Sequence, residues 1–274
     1  MEVKRYEVRG VPKGGTVTLV LFSCTHFGHT GIDLKRLRRE IEKVENDPFA
    51  RWGHLGDAGE FIIANDKRWQ MDALDKDYHI DAPMDLQVDK TVEVFRPIKR
   101  KGVGFVMGNH EDRYLLTAES NPGRRIAVGL GIEFLGYTAL VRFDLVTRTG
   151  EVWSPEVFLT HGYGCQAKTL QGQQAYLKKI SAPFDCDAAA MGHVHRRSAD
   201  NNEVFLSSNE DGDDVVEYQR HYAIAGTFMK TYFVRGDGGA GYGEKHHYPP
   251  SALGCASIEF HMGDHLIRAK DYWA

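Results

Sequence analysis

Val17-Thr18-Leu19-Val20-Leu21-Phe22-Ser23-Cys24-Thr25-His26 is an apolar run that stops abruptly at polar and reactive side chains. Its first part has the length and the β-branched, aromatic content of a buried strand. Its last residues offer a thiol and an imidazole, which is chemistry rather than packing. The same grammar recurs along the chain. A weaker run at Trp52–Leu55 leads into Gly56-Asp57, and Val103–Met107 leads into Gly108-Asn109-His110-Glu111. Glu156–Thr160 leads into His161-Gly162, and Ala188–Met191 into Gly192-His193-Val194-His195.

Helical patterns lie between these runs, over Asp33–Val44, Asp89–Lys101 and Gln166–Ile180. Strands alternating with helices predict α/β layers. In such sheets ligand-binding residues collect where strands end at their carboxyl side. From Glu133 the pattern turns β-rich, over Thr138–Val146, Glu203–Ser207, Ala223–Val234 and Ala256–His261. The expected fold is therefore α/β: a sandwich of two mixed β-sheets flanked by helices, in a single domain over residues 1–274, with a helical insertion around 61–90.

Composition sets the outer limits. The chain has 274 residues, 42% hydrophobic and 26% charged, with a formal net charge of −4. That length buries a sizeable core. The net charge argues against a broad nucleic-acid surface, though not against a local basic groove. No apolar run is long enough for a membrane helix, and the polar start MEVKRYEVRGVPKGG does not read as a secretory signal. The four cysteines, Cys24, Cys165, Cys186 and Cys255, lack paired spacing, which points to reduced thiols in a cytoplasm.

Together the strand-end clusters offer Cys24, His26, Asp57, Asn109, His110, His161, His193 and His195. Thiolate, imidazole and carboxylate are the donors that transition metals take. A lone histidine is usually structural; a set in which every member ends a strand is not. Two divalent ions about 3.5–4 Å apart need roughly this many donors plus one shared group, and a short carboxylate such as Asp57 suits the bridge.

The ordered series resembles the calcineurin-like metallophosphoesterases, whose pattern runs D-x-H, GD, GNH with a following acid, a histidine commonly before glycine, and GH-x-H. The resemblance covers residues 17 to 195 and implies roles position by position. One divalent ion would be held by Cys24, His26, Asp57 and His195, and the second by Asp57, Asn109, His161 and His193. His110 would meet the phosphate and protonate the leaving oxygen while a bridging hydroxide attacks phosphorus. Glu60 stands where the related protein phosphatases carry an acid that orients this histidine; a solvated turn residue is the competing account. The implied activity is phosphodiester or phosphomonoester hydrolysis. The substrate is a small molecule or a nucleic acid, and no membrane is involved. Ala58-Gly59-Glu60-Phe61 lacks the ending of the protein serine/threonine phosphatases, which counts against that branch. A binding module on the same fold, without catalysis or responsive to redox, is the alternative.

Cys24 replaces the usual aspartate. A thiolate keeps the charge but favours zinc or iron, while manganese remains open for the other site. Three accounts compete: a ligand, a non-ligand beside a weak site, or a buried strand residue. Lesser signals are set aside. Gly236–Gly241 fits G-x-G-x-x-G without the helix it requires. Ser207–Tyr218 imitates a calcium loop with the wrong terminal ligands. His246 and His247 are candidates for substrate contact from a loop, Cys165 for a place near the site, and Arg113, Arg124 and Arg125 for binding a phosphate or an acidic neighbour.

Overall fold

Alternation along the central strands decides which way each side chain faces. In the run Thr16–Phe22, which forms strand β2, Val17, Leu19 and Leu21 join one core while Val20 and Phe22 join another. The period of two in a pleated strand puts successive residues on opposite faces. A strand apolar on both faces must be covered on both sides. The computed structural model, which describes residues 1–62, 74–234, 242–245 and 247–272, shows what covers it.

The first sheet runs β13 (Leu266–Tyr272), β12 (Cys255–His261), β2, β3 (Ala50–His54), β4 (Gly102–Phe105) and β5 (Glu133–Phe134). Strands β2 to β5 are parallel, while β12 and β13 pair antiparallel. The second sheet runs β1 (Glu2–Val11), β6 (Thr138–Thr147), β8 (Glu156–Thr160), β9 (Ala188–Met191), β11 (Val215–Ala225) and β10 (Arg197–Ser208), with β7 (Val152–Trp153) on β6. It is also mixed: β8, β9 and β11 are parallel, β6 runs against β8, and β10 runs against β11. The two sheets share a core. Leu19, Leu21, Ile258 and Phe260 from one meet Val141, Phe143, Leu159 and Ala190 from the other.

Helices cover the outer faces. The first sheet is packed by α1 (Leu34–Asn46), α2 (Pro83–Phe95) and α4 (Pro122–Leu130), around Phe22, Trp52, Phe95 and Phe105. The second is packed by α5 (Leu170–Ser181), whose Leu177 joins Phe158, Ala189 and Ile224. The expected sandwich of two mixed sheets flanked by helices is the observed architecture. Phe22 lies edge-on to Trp52 and Phe95 at 6.1 and 5.1 Å between ring centres. Phe22→Ala should cost about 3–5 kcal/mol, the usual range for emptying a buried aromatic site; denaturant unfolding would measure it.

Several boundaries differ from the sequence reading, each for a local reason. The helix read over Asp89–Lys101 begins at Pro83 and ends at Phe95, because Pro97 lacks the N–H that an α-turn needs; Arg96–Lys101 continues as a 3₁₀ turn. The helix read from Gln166 begins at Leu170, where Thr169 caps the Gly172 N–H. The strand read over Ala223–Val234 lies earlier, at Val215–Ala225, and ends before Gly226, whose φ is +96°. Of the insertion expected around 61–90, residues 63–73 lie outside the described residues; Lys76–Tyr78 forms a short 3₁₀ turn before α2. Ser207–Tyr218 is the end of a β-hairpin, its turn held by Asn209 Oδ1 accepting from the Asp213 and Asp214 amides. Gly236–Gly241 and His246 lie outside the described residues. No described helix is long and apolar enough to cross a membrane.

Candidate metal centre

The carboxyl ends of β2, β3 and β4 in one sheet and β8 and β9 in the other open onto a common cleft. There the chain departs from regular structure. Cys24, His26, Asp57, His193 and His195 all have positive φ, between 47° and 67°. For residues other than glycine that conformation costs of order 1–3 kcal/mol each and persists only where the surroundings fix it. Here they do. The Cys24, His26 and Phe27 amides donate to the Gly56, Asp57 and Ala58 carbonyls at 3.0, 3.1 and 2.8 Å. The Thr227 hydroxyl donates to the Cys24 carbonyl at 2.9 Å.

These turns bring the donors into two groups. Cys24, His26 and His195 offer ligand atoms within 4.8 Å of one another, as do Asp57, His161 and His193. Cys24 is fully buried, with Asp57 and His26 at 2% exposure. It is not a strand residue: β2 ends at Phe22, and the Cys24 thiol turns toward the histidines. A third group within the same spacing is His26, Glu60 and His110.

The tautomers argue for a cation in the cleft. His161 Nδ1–H donates to the Leu55 carbonyl at 2.5 Å, and that oxygen can only accept. Nε2 therefore faces Asp57 Oδ2 at 3.1 Å and Asn109 Oδ1 at 3.0 Å. A neutral imidazole would aim a lone pair at a carboxylate, so a proton or a metal ion has to lie between them. The protein's own groups pull the same way. Burial opposes charge on His161, yet the Asp57 carboxylate prevails and lifts its pKa to about 9. Burial also opposes charge on Asp57, but His161 and His110 hold it well below the usual carboxylate range. His26 repeats the pattern: Nδ1–H donates to Glu60 Oε2 at 3.0 Å, so Nε2 faces His195 Nε2 at 3.0 Å. Burial, then the neighbouring His161, lowers His193 to about 4, leaving a neutral imidazole. Burial and then His26 depress His195 in the same sense. Thiolate, imidazole and carboxylate gathered in this way suit divalent transition ions.

Glycine makes the close approach possible. A Cβ on Gly56 would meet the Gly108 amide nitrogen at 2.5 Å, and one on Gly108 would strike the Asp57 carboxylate. Helix α3 (Asn109–Ala118) starts on the motif itself, and the His110 amide donates to Asp57 Oδ1 at 3.0 Å. That helix N-terminus adds partial positive charge beside the carboxylate. The His110 ring lies at 4.7 Å from the ring of His26, and its Nδ1 is bonded to the Glu60 main-chain carbonyl. The Glu60 side chain instead pairs with His26.

Glu111 carries more than its place in the sequence pattern suggests. Fully buried, its carboxylate accepts from the Asp57 amide at 2.9 Å, the Ala58 amide at 2.7 Å and the Gly108 amide at 2.9 Å. It thereby pins the second and third motifs to each other. His54, the last residue of β3, belongs to no sequence motif and also supports the site. It stacks on Phe105 at 4.9 Å and 9°; its Nδ1 accepts from the Gly56 amide at 3.2 Å, with Nε2 beside the Thr25 hydroxyl at 3.3 Å. Burial, then the charge on His161, lowers its pKa from 6.5 to about 3. As pH falls below 6.5, the unfolded chain takes up a proton that folded His54 refuses until about pH 3, so stability should fall across that window. His54→Gln should flatten this loss, measured by comparing unfolding midpoints at neutral and mildly acid pH.

Cys165 lines the cleft while also packing in the core under α5. Arg125 takes the acidic neighbour, binding Asp85 Oδ1 at 2.6 Å, and Arg124 lies over the Phe134 ring at 4.6 Å. His247 is not among the residues that line the cleft.

No family model matches the chain, and no curated protein matches it. Among solved structures it is similar to zinc-complexed wild-type Vps29 from Entamoeba histolytica (9% identity, 93% of this chain and 97% of that chain, TM-score 0.40). It is similar to a predicted phosphoesterase from Streptococcus pneumoniae (12% identity, 93% and 97%, TM-score 0.36). A metallophosphoesterase from Sphaerobacter thermophilus gives 11% identity over 94% of this chain and 89% of that chain, with a TM-score of 0.40.

Proposed function

We propose that the protein is a metal-dependent phosphoester hydrolase with two divalent ions in the cleft. The observation that carries this is the pair of donor groups, Cys24/His26/His195 and Asp57/His161/His193, of which His26, Asp57, His193 and His195 line one cleft together with His110. Cys24, His26 and His195 would hold one ion, and His161, His193 and Asn109 the other, with Asp57 shared. When bound, such ions supply an activated water and neutralise phosphoryl oxygens.

The chain's own residues have separable tasks. His161 and His26 each donate Nδ1–H to a fixed acceptor, which leaves Nε2 as the ligating nitrogen. Glu60 serves two neighbours at once, fixing His26 through its carboxylate and His110 through its carbonyl. With its Nδ1–H bonded there, a protonated His110 presents Nε2–H to the cleft and can give that proton to a departing ester oxygen. Burial of Asp57, His26 and His161 keeps the electrostatics strong.

Cys24 selects the ion. As a ligand it biases its site toward zinc or iron. The test is hydrolysis of a phosphomonoester, a phosphodiester and DNA in the presence of zinc, manganese or iron, for wild type, Cys24→Asp and Cys24→Ser. Wild type should work best with zinc or iron, and Cys24→Asp should shift preference toward manganese. Cys24→Ser should weaken ion binding at this site. Unchanged ion preference and affinity in both variants would remove Cys24 from the ligand set.

A further inference from the structure

The cleft extends well past the donor groups, to a volume of about 340 Å³, within the range of small-molecule sites. Its charges are divided. The carboxylates among its lining residues, Asp57 and Glu60, lie in the metal centre, whereas the outer part carries Lys168, Arg196 and Lys230. Lys230 is committed to Asp33 at 3.2 Å. Lys168 lies over the Tyr248 ring at 5.0 Å and has no carboxylate partner among the described residues. Arg196 is half-buried, adjoins His195 in sequence, and makes no ion pair with the described residues. Among the described residues no carboxylate offsets the cost of partly desolvating this guanidinium, and its planar donor fork matches a phosphate.

We propose that the outer part of the cleft binds a second phosphate of the substrate, through Arg196 with Lys168 beside it. Preferred substrates then carry a further phosphate beyond the scissile one. This rests on the hydrolase reading for which phosphate is cut, but not for whether the second one binds. The mixed lining, with Tyr248 and Met229 alongside the cations, suits an organic group between the two phosphates.

Binding and turnover test it separately. In zinc-loaded His110→Ala protein, where turnover should not consume the probe, calorimetry would compare two pairs. Thymidine 5′-phosphate against thymidine 3′,5′-bisphosphate places the second phosphate across a sugar; AMP against ADP places it adjacent. In at least one pair the doubly phosphorylated member should bind about tenfold to a hundredfold tighter, the scale of a charge-assisted contact. Adding Arg196→Ala and Lys168→Ala should abolish that preference and leave binding of the monophosphates unchanged; Arg196→Lys should restore part of it. Equal binding within both pairs, or a preference that survives the double substitution, overturns the proposal. The hydrolase reading is tested apart, by wild-type turnover of the 4-nitrophenyl ester of thymidine 5′-phosphate. Failure there leaves the binding comparison standing.

Discussion

Replacing His110 by alanine is expected to lower phosphoester hydrolysis by about 10²–10⁴-fold, the contribution of a positioned general acid, while bound metal stays at the wild-type level. The separation comes from the geometry. His110 meets the proposed ligand Asp57 through its backbone, whose amide donates to Asp57 Oδ1 at 3.0 Å, and that bond survives loss of the ring. The ring itself is held by the Glu60 carbonyl and stands beside His26. Metal analysis alongside steady-state rates would distinguish the outcomes. If rate and metal content fell together, His110 would be structural; if neither changed, the proton would come from elsewhere. The loss should also depend on the leaving group, being smallest for an ester whose departing oxygen needs no proton.

Glu111→Ala should be the most damaging change for stability outside the hydrophobic cores. Three main-chain amides, those of Asp57, Ala58 and Gly108, converge on this fully buried carboxylate. Each buried donor left unsatisfied costs about 1–3 kcal/mol, so a loss on the order of 3–5 kcal/mol is expected even with some relaxation. Burial, then the nearby charge of Asp57, raises the Glu111 pKa to about 7, and the hydrogen bonds from the Ala58 and Asp57 amides oppose that rise. Glu111→Gln keeps an accepting oxygen and should lose less. Denaturant unfolding reads the stability, and ion affinity reads whether Asp57 has moved. A loss below about 1 kcal/mol in Glu111→Ala, the typical effect of an ordinary substitution, would show that the amides find other partners.

The parts of the fold that are legible in sequence are those where one physical demand dominates. Strands β8 and β9 match their apolar runs residue for residue, because both faces of each are buried and polar residues stop the pattern. Helix α1 is legible from its pattern and from Asp33, which caps the Arg36 amide at 2.9 Å. Strand β1 is not, since Glu2, Val3, Arg5, Glu7 and Arg9 are exposed and its buried residues are Val8 and Val11. Helix α3 escapes for another reason: its first turn is Asn109-His110-Glu111, which reads as a motif rather than a helix start. The exposed half of β11, from Val215 to Gln219, carries no burial signal because the hairpin extends beyond its neighbour β9.

The site is legible by residue type and order, not by conformation. Nothing in Cys24-Thr25-His26 or Gly192-His193-Val194-His195 announces left-handed backbone at non-glycine positions; at Cys24 and His26 that arises from hydrogen bonds to a loop distant in sequence. The division of labour within Glu60 is equally hidden, because spacing cannot tell a carboxylate contact from a carbonyl contact. Arg196 is unremarkable beside His195 in the sequence, because an arginine after a motif gains meaning only once it is seen to line the cleft without an ion pair to the described residues.

Cys24 connects these levels. It lies beyond the end of β2, fully buried, with its thiol within 4.8 Å of the His26 and His195 donor atoms, and this placement supports the proposed ligand role. As a proposed ligand, its sulfur would suit a softer ion than a carboxylate would.

The most direct measurement is a titration of zinc into chelator-stripped protein, tracking bound ions by equilibrium dialysis and phosphodiester hydrolysis in the same samples. Two ions held by these donors should give little hydrolysis without zinc, a rise as ions bind, and a plateau when the second equivalent is taken up. Full hydrolysis without bound ions, or two bound equivalents without hydrolysis of any phosphoester, would contradict a metal-dependent hydrolase.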